Sequence, residues 1–313
     1  MKVVACCIAR TENRYIQEWL DYHLGIGFDH IYLCDNAQGD EERLQEVIDK
    51  FPKYQEKVTV FPYFDKKGQQ CAAYTDCYKH RNLDFDWMAF FDVDEFITFA
   101  VDKSTGRSRY QDIHDYLEER ASSADEVLMN WMCFGDNGLV EDDGSANLSR
   151  FLKPLPHNFS PYNLLGKKPM NCHVKQFLRK DLPVNEVLPH ATPAADDSYE
   201  LRVVDGDGFA ISANAIQPKY TFQSIYVKHF ITRTIQEYIR TKIQRGMGVD
   251  SPNTKYDLGD FFLYNRLTYK KWRIYKGAVV EFPNNYTPHS MSWWIKCMFK
   301  GYIFTPLLGR YDG

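Results

Sequence analysis

Three carboxylates follow one apolar run of this chain. Residues 87–91 are Trp-Met-Ala-Phe-Phe, and Asp92, Asp94 and Glu95 come directly after them. Such a run is typical of a buried strand in a parallel sheet. Ionised carboxylates at the end of a buried strand are costly unless a cation meets them, and open α/β sheets bind ligands at the carboxyl ends of their strands. The pattern predicts that Asp92 and Asp94 bind a divalent metal together with the anion that the metal carries.

Two further Asp-x-Asp pairs receive a different interpretation. Asp205 and Asp207 alternate with glycines between strand-like runs, and Asp-Gly is typical of a hairpin turn. Asp84 and Asp86 precede the apolar run and are predicted to lie in a solvated turn before the strand. The pair at 92 and 94 alone combines a buried strand with an exit at its carboxyl end.

The elements that must position this pair are repeated βα units. The first hundred residues alternate predicted strands and helices, which implies an α/β protein with a mostly parallel sheet and helices on both faces. The predicted strands are 2–8, 30–34, 58–61 and the run before Asp92, and the predicted helices are 12–24, 44–51 and 69–83. Beyond them we expect a helix at 110–120, a strand at 126–134, an irregular segment at 135–170 and short strands over 173–230. A capping box at Thr234–Glu237 then opens a helix that ends near Gly246.

The other early strands also end in polar residues. These ends are 10–13, 35–36 and 65–70, and parallel strands would gather all of them on one rim of the sheet. Polar groups on such a rim can hydrogen-bond a nucleobase and a ribose, and a lysine can meet a diphosphate. The rim is therefore predicted to bind a nucleotide.

Bulk composition excludes some classes of protein. The 313 residues carry a net charge of −4, without the basic footprint of a general nucleic-acid binder. None of the eight cysteines forms a Cys-x-x-Cys pair, which favours reduced thiols in a cytoplasmic protein. The amino terminus lacks a signal-peptide pattern, and no apolar run approaches the roughly 20 residues of a membrane span.

Several motifs jointly resemble glycosyltransferase family 92 and bacterial relatives that are similar to family 2. The resemblance covers residues 3–246, and its motifs lie at 9–23, 27–36, 70–77, 87–96, 131–138, 174–175 and 228–234. It implies a GT-A fold and a metal-dependent hexosyltransferase that uses Mn²⁺ or Mg²⁺. The implied donor is a nucleotide-diphosphate sugar, expected to be UDP-linked, and the implied acceptor is a hydroxyl of a glycan or lipid-linked glycan in polysaccharide biosynthesis.

The resemblance also implies roles for individual residues. Asp92 would lie near the donor ribose and the metal, Asp94 would bind the metal, and His229 would be a third metal ligand. The implied contacts with the nucleotide sugar are made by Arg10, Glu12, Asp35, Lys67, Gln70 and Arg233, of which Lys67 or Arg233 would neutralise phosphate. Inversion of configuration, which the resemblance favours, needs a general base for the acceptor hydroxyl, and Asp136 and Glu141 are the two candidates.

The predicted domain organisation is a GT-A-like domain at 1–246 and a helical, aromatic extension at 247–313. Within the domain, 1–100 would form the nucleotide-binding half and 101–246 the acceptor-side half. Residues 289–308 mix aromatic and basic side chains. They are either a packed helix or a surface that contacts the inner face of a membrane peripherally.

Two other functions stay open at this level. A nucleotidyltransferase of sugar metabolism also uses carboxylates and a metal on an α/β sheet, but it usually carries a Gly-rich basic loop where this chain has 10–13. A non-catalytic module that binds a glycan or a nucleotide is the second alternative. Intact Asp92, Asp94 and His229 argue mildly against it.

Overall fold

The computed structural model describes residues 1–156, 169–245, 256 and 258–265. In this part of the chain, ten strands form the sheet. In chain order they are β1 (Val3–Ala9), β2 (His30–Asp35), β3 (Val58–Pro62), β4 (Trp87–Phe90), β5 (Glu95–Phe99), β6 (Glu126–Cys133), β7 (Val174–Arg179), β8 (Val203–Asp205), β9 (Ala210–Ile211) and β10 (Ile225–His229).

Seven α-helices accompany the strands within the described residues. They are α1 (Asn13–Gly25), α2 (Leu44–Ile48), α3 (Gln70–Thr75), α4 (Ile113–Ala121), α5 (Asn147–Arg150), α6 (Ile235–Tyr238) and α7 (Leu258–Tyr264). Wider turns of π type continue α3 over Asp76–His80 and α6 over Ile239–Gln244. The capping box at the start of α6 forms as predicted, with the Thr234 hydroxyl accepting from the Glu237 backbone N–H.

The sheet has the order β3-β2-β1-β4-β7-β6-β10-β5, with β8 beside β6 and β9 beside β8. The four strands from the first ninety residues are parallel neighbours, in a register that pairs Ala9 with Asp35 and Asp35 with Pro62. Their carboxyl ends therefore lie on one rim, as the βα pattern predicted. The α/β class is confirmed, and β7 continues the sheet in the antiparallel sense beside β4.

One strand was not predicted from the sequence. The run that carries the carboxylates contains two strands, because β4 ends at Phe90 and β5 begins at Glu95. β5 pairs antiparallel with β10, and the register places His229 opposite Glu95. The residues between β4 and β5 form a short connection, and the predicted metal ligands Asp92 and Asp94 lie within it.

The core beneath the parallel strands is apolar. Buried side chains of β1, β2, β4 and α3 pack in one cluster, which includes Cys6, Cys34 and Cys77. Every cysteine in the described residues is a free thiol, consistent with the predicted reduced state.

The two other Asp-x-Asp pairs behave as predicted. Asp205 and Asp207 lie in the hairpin between β8 and β9, where one Asp205 carboxylate oxygen accepts from the Asp207 and Phe209 backbone N–H groups. Asp84 and Asp86 are exposed at the start of β4 and contact Lys2.

The chain forms two compact units. The first comprises Met1–Trp131 and Cys172–His229, and the second includes Met132–Asn171 and, beyond His229, the helices α6 and α7. The predicted boundary between 246 and 247 stays a prediction, because 246–255 lie outside the described residues. The predicted surface at 289–308 lies outside them too. Among the helices that the structure describes, none is both long and apolar enough to cross a bilayer.

Candidate active site

Helix α1 fixes the connection that carries the carboxylates. The Trp19 indole N–H donates to the backbone carbonyls of Asp92 (3.1 Å) and Glu95 (2.9 Å). One turn later, His23 Nε2 accepts from the Ile97 backbone N–H (3.2 Å), so its Nδ1 carries the proton and donates to the Trp19 carbonyl (2.8 Å). Burial lowers the pKa of His23 to about 3. This neutral imidazole therefore ties the start of β5 to the helix.

The Asp92 carboxylate is held on both oxygens. Its Oδ2 lies 2.8 Å from the ammonium of Lys175. Its Oδ1 accepts from the Gln70 amide (2.8 Å) and from the Tyr74 hydroxyl (3.3 Å). Lys175 lies on β7, the strand next to β4, and is 1% exposed. The structure thus brings together Asp92 and Gln70, two residues that the sequence assigned to one site.

Glu95 is a second partner of the buried lysine. It is completely buried, and its Oε2 accepts from the Asp92 backbone N–H (2.7 Å) and lies 3.1 Å from Lys175 Nζ. Burial raises the pKa of Glu95 to about 7 although the lysine acts in the opposite sense. Burial alone would lower the pKa of Lys175, but Asp92 and Glu95 together raise it instead. Lys175 is therefore a cation.

Asp94 and His229 meet on the same rim. His229 ends β10, and its Nε2 lies 3.6 Å from Asp94 Oδ2. Both side chains are more than nine-tenths buried. His229 Nδ1 and Glu95 Oε1 are buried 4.0 Å apart, and neither has a hydrogen-bond partner among the described residues. Unpaired buried polar atoms are rare in folded proteins and often mark a functional site.

These residues fit a divalent metal in part. A carboxylate and an imidazole this close can bind one cation together, and both are ligands that Mn²⁺ accepts. The Asp92 carboxylate, by contrast, faces the Lys175 ammonium. Among the described residues, the single group of three potential ligands with all ligand atoms within 4.8 Å of one another is Cys6, Cys34 and Cys77. Asp92, Asp94 and His229 do not form such a group.

An aromatic cluster continues the rim beyond His229. Trp131 on β6 lies with its ring centre 4.2 Å from that of His229 and 5.0 Å from that of His173, and His190 packs against both Trp131 and His173. Trp131 Nε1 and His173 Nδ1 are buried without a partner in the described part of the chain. Burial lowers the pKa values of His173 and His190 to about 4, so both imidazoles are neutral near pH 7.

The predicted nucleoside contacts lie on the same unit. Arg10 forms a two-pronged ion pair with Glu41. Both oxygens of Asp35 accept backbone N–H groups, from Ala37 and from Leu44, so its carboxylate shapes the loop after β2. Glu12 is buried before α1 and Lys67 is exposed before α3. Their contacts with a nucleotide stay predictions.

The two predicted general bases and the predicted phosphate ligand Arg233 belong to the second unit. Asp136 is buried, its backbone N–H donates to Asn265, and its carboxylate accepts from the Gly138 backbone N–H. Glu141 is exposed. Arg233 is buried in a left-handed backbone conformation, with φ at 54°. Their roles as general base and phosphate ligand also stay predictions.

Sequence reasoning missed the residues that hold the site together. Lys175, Trp19, His23 and Trp131 received no role before the structure. The motifs at 9–23, 131–138 and 174–175 contain all four residues, and Lys175 is in addition a charged residue within the strand Val174–Arg179. Strands that are buried on both faces seldom carry a lysine unless it is paired.

The family model and the curated relatives that match this chain name the same family. The family model for glycosyltransferase family 92 matches residues 2–163, which are 162 of the 313 residues. A family 92 protein of Ricinus communis is 24% identical over 141 residues, which are 44% of this chain and 24% of the relative. One of Oryza sativa is 28% identical over 108 residues, covering 34% of this chain and 17% of the relative. The chain thus spans about a quarter or less of the length of these relatives.

Solved structures offer weaker likenesses. S. aureus TarS 1–349 aligns with 98% of this chain and 81% of its own, at 13% identity and a TM-score of 0.36. HddC from Yersinia pseudotuberculosis aligns with 57% of this chain and 77% of its own, at 9% identity and a TM-score of 0.33.

Proposed function

The chain belongs to glycosyltransferase family 92, and on this premise we propose that it transfers a sugar from a nucleotide-diphosphate sugar to a hydroxyl of a glycan. The proposed reaction depends on a divalent metal and inverts the configuration at the transferred carbon. The proposed donor is UDP-linked, and the proposed acceptor is a glycan or lipid-linked glycan.

One observation carries the proposal. Asp94 and His229 converge on the rim where the parallel strands end, with Asp92 beside them. A carboxylate and an imidazole that are buried together, next to atoms without partners, favour a bound cation over an ordinary surface turn. A diphosphate is the natural co-ligand of a hard cation.

Each residue has a defined part in the proposal. Asp94 and His229 would hold the metal, which when bound would stabilise the negative charge on the departing diphosphate as a Lewis acid. Gln70 and Tyr74 orient the Asp92 carboxylate, which would accept from the donor ribose. Trp19 keeps the connection between β4 and β5 in place while the ligand binds.

The acceptor hydroxyl needs a base on the side opposite the leaving group. Asp136 and Glu141 are the candidates that we propose. Replacing the true base with its amide should lower kcat by a factor on the order of 100 or more and leave the affinity for the donor unchanged. An equal loss in affinity for the donor would show that this residue is not the general base.

Calorimetric titration of UDP, with and without Mn²⁺, tests the donor side. We expect UDP to bind much more tightly with Mn²⁺, and Asp94→Asn to abolish this difference. Asp84→Asn is the matched control, because Asp84 belongs to an exposed acidic pair at the start of the same strand. Binding of UDP that ignores the metal, or that survives Asp94→Asn unchanged, would contradict the proposal.

Product analysis then separates a transferase from other functions. A panel of nucleotide sugars is incubated with the full chain and Mn²⁺, and released UDP is measured. Slow hydrolysis of one donor supports a transferase. Formation of a nucleotide sugar from a sugar phosphate would identify a nucleotidyltransferase, and binding without turnover would identify a binding module.

A further inference from the structure

Three cysteines from three separate elements meet in the apolar core. Cys6 lies on β1, Cys34 lies on β2, and Cys77 lies in the π-type turn that continues α3. The register sets Cys6 opposite Tyr32 and Ile8 opposite Cys34, so both strand cysteines point to the same face of the sheet. All three cysteine side chains are completely buried. The function proposed above uses none of them.

The spacing of the three sulfur atoms fits one small cation. Cys34 Sγ lies 3.6 Å from Cys77 Sγ, and all three sulfurs, with that of Cys6, lie within 4.8 Å of one another. Three thiolate sulfurs bonded at about 2.3 Å to a central cation would stand about 4 Å apart. A disulfide would take two of the sulfurs and leave the third, whereas a cation takes all three.

The electrostatics of the cluster favour a cation of low charge. Hydrogen bonds with Cys34 and Cys6 lower the pKa of Cys77, although burial acts in the opposite sense. Burial raises the pKa of Cys6, and the pKa of Cys34 is raised because its bond with Cys77 and burial outweigh its bond with Cys6. Arg81 and Asp76 lie close to Cys77 but pair with each other at 2.6 Å, so their charges largely cancel. A site with one ready thiolate in apolar surroundings suits a monovalent cation, since a buried net charge is costly.

The number of ligands separates the candidate metals. Sites rich in thiolate select soft cations such as Cu⁺ and Zn²⁺. Structural Zn²⁺ is almost always held by four ligands. Among the described residues, no fourth cysteine, histidine or carboxylate joins the three thiols within the same 4.8 Å. Three sulfur ligands and a low charge therefore favour Cu⁺.

We propose that Cys6, Cys34 and Cys77 form a three-coordinate site for Cu⁺, separate from the proposed Mn²⁺ site. Each sulfur that binds as a thiolate loses its proton to solvent, and the copper keeps its oxidation state. The bound cation ties β1 and β2 to α3, the helix that also holds the Asp92 carboxylate. The site is thus structural, and it is independent of the proposed sugar transfer.

Competition with a coloured Cu⁺ chelator tests the proposal on the native full chain under argon. The chain is added to the bicinchoninate complex of Cu⁺, and the loss of colour is followed until it is constant. We expect the chain to withdraw one Cu⁺. X-ray absorption of the loaded chain should show three sulfur neighbours of copper at about 2.3 Å. Cys6→Ala, Cys34→Ala and Cys77→Ala should each weaken the affinity by a factor on the order of 100 or more, because each removes a ligand.

Cys7→Ala is the matched control. Cys7 is as buried as Cys6 and follows it in β1, so its side chain points to the other face of the sheet. This variant should bind Cu⁺ as the native chain does.

Buried cysteines also serve as small apolar groups in protein cores. If that is the whole role of the cluster, the native chain will leave the copper with the chelator, and the inference is overturned. Affinity that survives Cys34→Ala unchanged would overturn it as well, because the copper would then be bound elsewhere. Should the cysteine variants not fold, the sulfur count in the native chain decides, and fewer than three sulfur neighbours would contradict the site.

Discussion

At the scale of single residues, burial decides which groups of the site carry charge. Lys175 is buried and cationic because two carboxylates face it, whereas His23 is buried among aromatic rings and stays neutral. Asp92 was assigned correctly to a strand end from the sequence. Its partner Lys175 could not be assigned, because the antiparallel pairing of β7 with β4 joins residues more than eighty positions apart.

The neutral state of His23 makes stability depend on pH. Its pKa is about 3 in the folded protein and about 6.5 when unfolded, so the unfolded state binds the extra proton first. The stability that neutral His23 contributes is present above pH 6.5 and is lost as the pH falls toward 3. Because of this residue, we expect the free energy of unfolding to fall by about 1.5 kcal/mol between pH 6.5 and pH 5.

Urea unfolding of the native chain and of His23→Gln at several pH values measures this effect as a difference between the two proteins. His23→Gln should flatten the pH dependence by that amount, while His173 and His190 contribute equally to both proteins and cancel. Glu126 acts in the opposite sense, because burial raises its pKa to about 8, and it cancels as well. If the free energy of unfolding depends on pH in the same way in both proteins, His23 is not the group that causes the loss of stability at low pH.

At the scale of elements, the site depends on how α1 is attached to the connection between β4 and β5. Strand ends were predictable, because apolar runs of period and length typical of buried strands precede Arg10, Asp35 and Asp92. β5 was not predicted, because it begins at Glu95, within the carboxylates that were assigned to the end of the preceding strand. For the same reason, the sequence did not predict that β5 pairs with β10, which is the pairing that positions His229.

Trp19→Phe tests the role of α1. The substitution keeps most of the ring but removes the N–H that serves two buried carbonyls. We expect a loss of about 1–3 kcal/mol in the free energy of unfolding and a lower coupling between Mn²⁺ and UDP. Denaturant unfolding and calorimetry measure the two effects separately.

Trp87→Phe is the matched control for this variant. Trp87 is as deeply buried as Trp19, and it packs against Arg179 away from the bonds that α1 makes. The control should lose stability and keep the coupling. If both variants lower the coupling equally, the effect of Trp19 is general destabilisation and not control of the connection.

At the scale of the whole molecule, the described residues pass three times between the two compact units, after Trp131, Asn171 and His229. Residues of the first unit come from both sides of an insertion at 132–171, which contains the irregular segment predicted at 135–170. The sequence therefore allowed the fold class to be predicted, but not the division into units. That division depends on contacts between distant segments, which a single sequence does not display.

Thermal unfolding offers a test of the metal and nucleotide at this scale. A ligand that binds only the folded state raises Tm by mass action. We expect Mn²⁺ or UDP alone to change Tm little, and the two together to raise it by about 4 °C at concentrations near 100 times Kd. Scanning calorimetry of the native chain and Asp94→Asn gives the comparison. Additive shifts in the native chain would contradict joint binding.

The register that sets His229 opposite Glu95 has a consequence for folding order. These two residues are 134 positions apart, and their strands pair only after nearly three quarters of the chain has been synthesised. Contacts between such distant segments tend to form late. A growing chain can therefore form β1 to β4 before the proposed metal ligands Asp94 and His229 are able to meet. We expect a chain truncated before β10 to lack this proposed site.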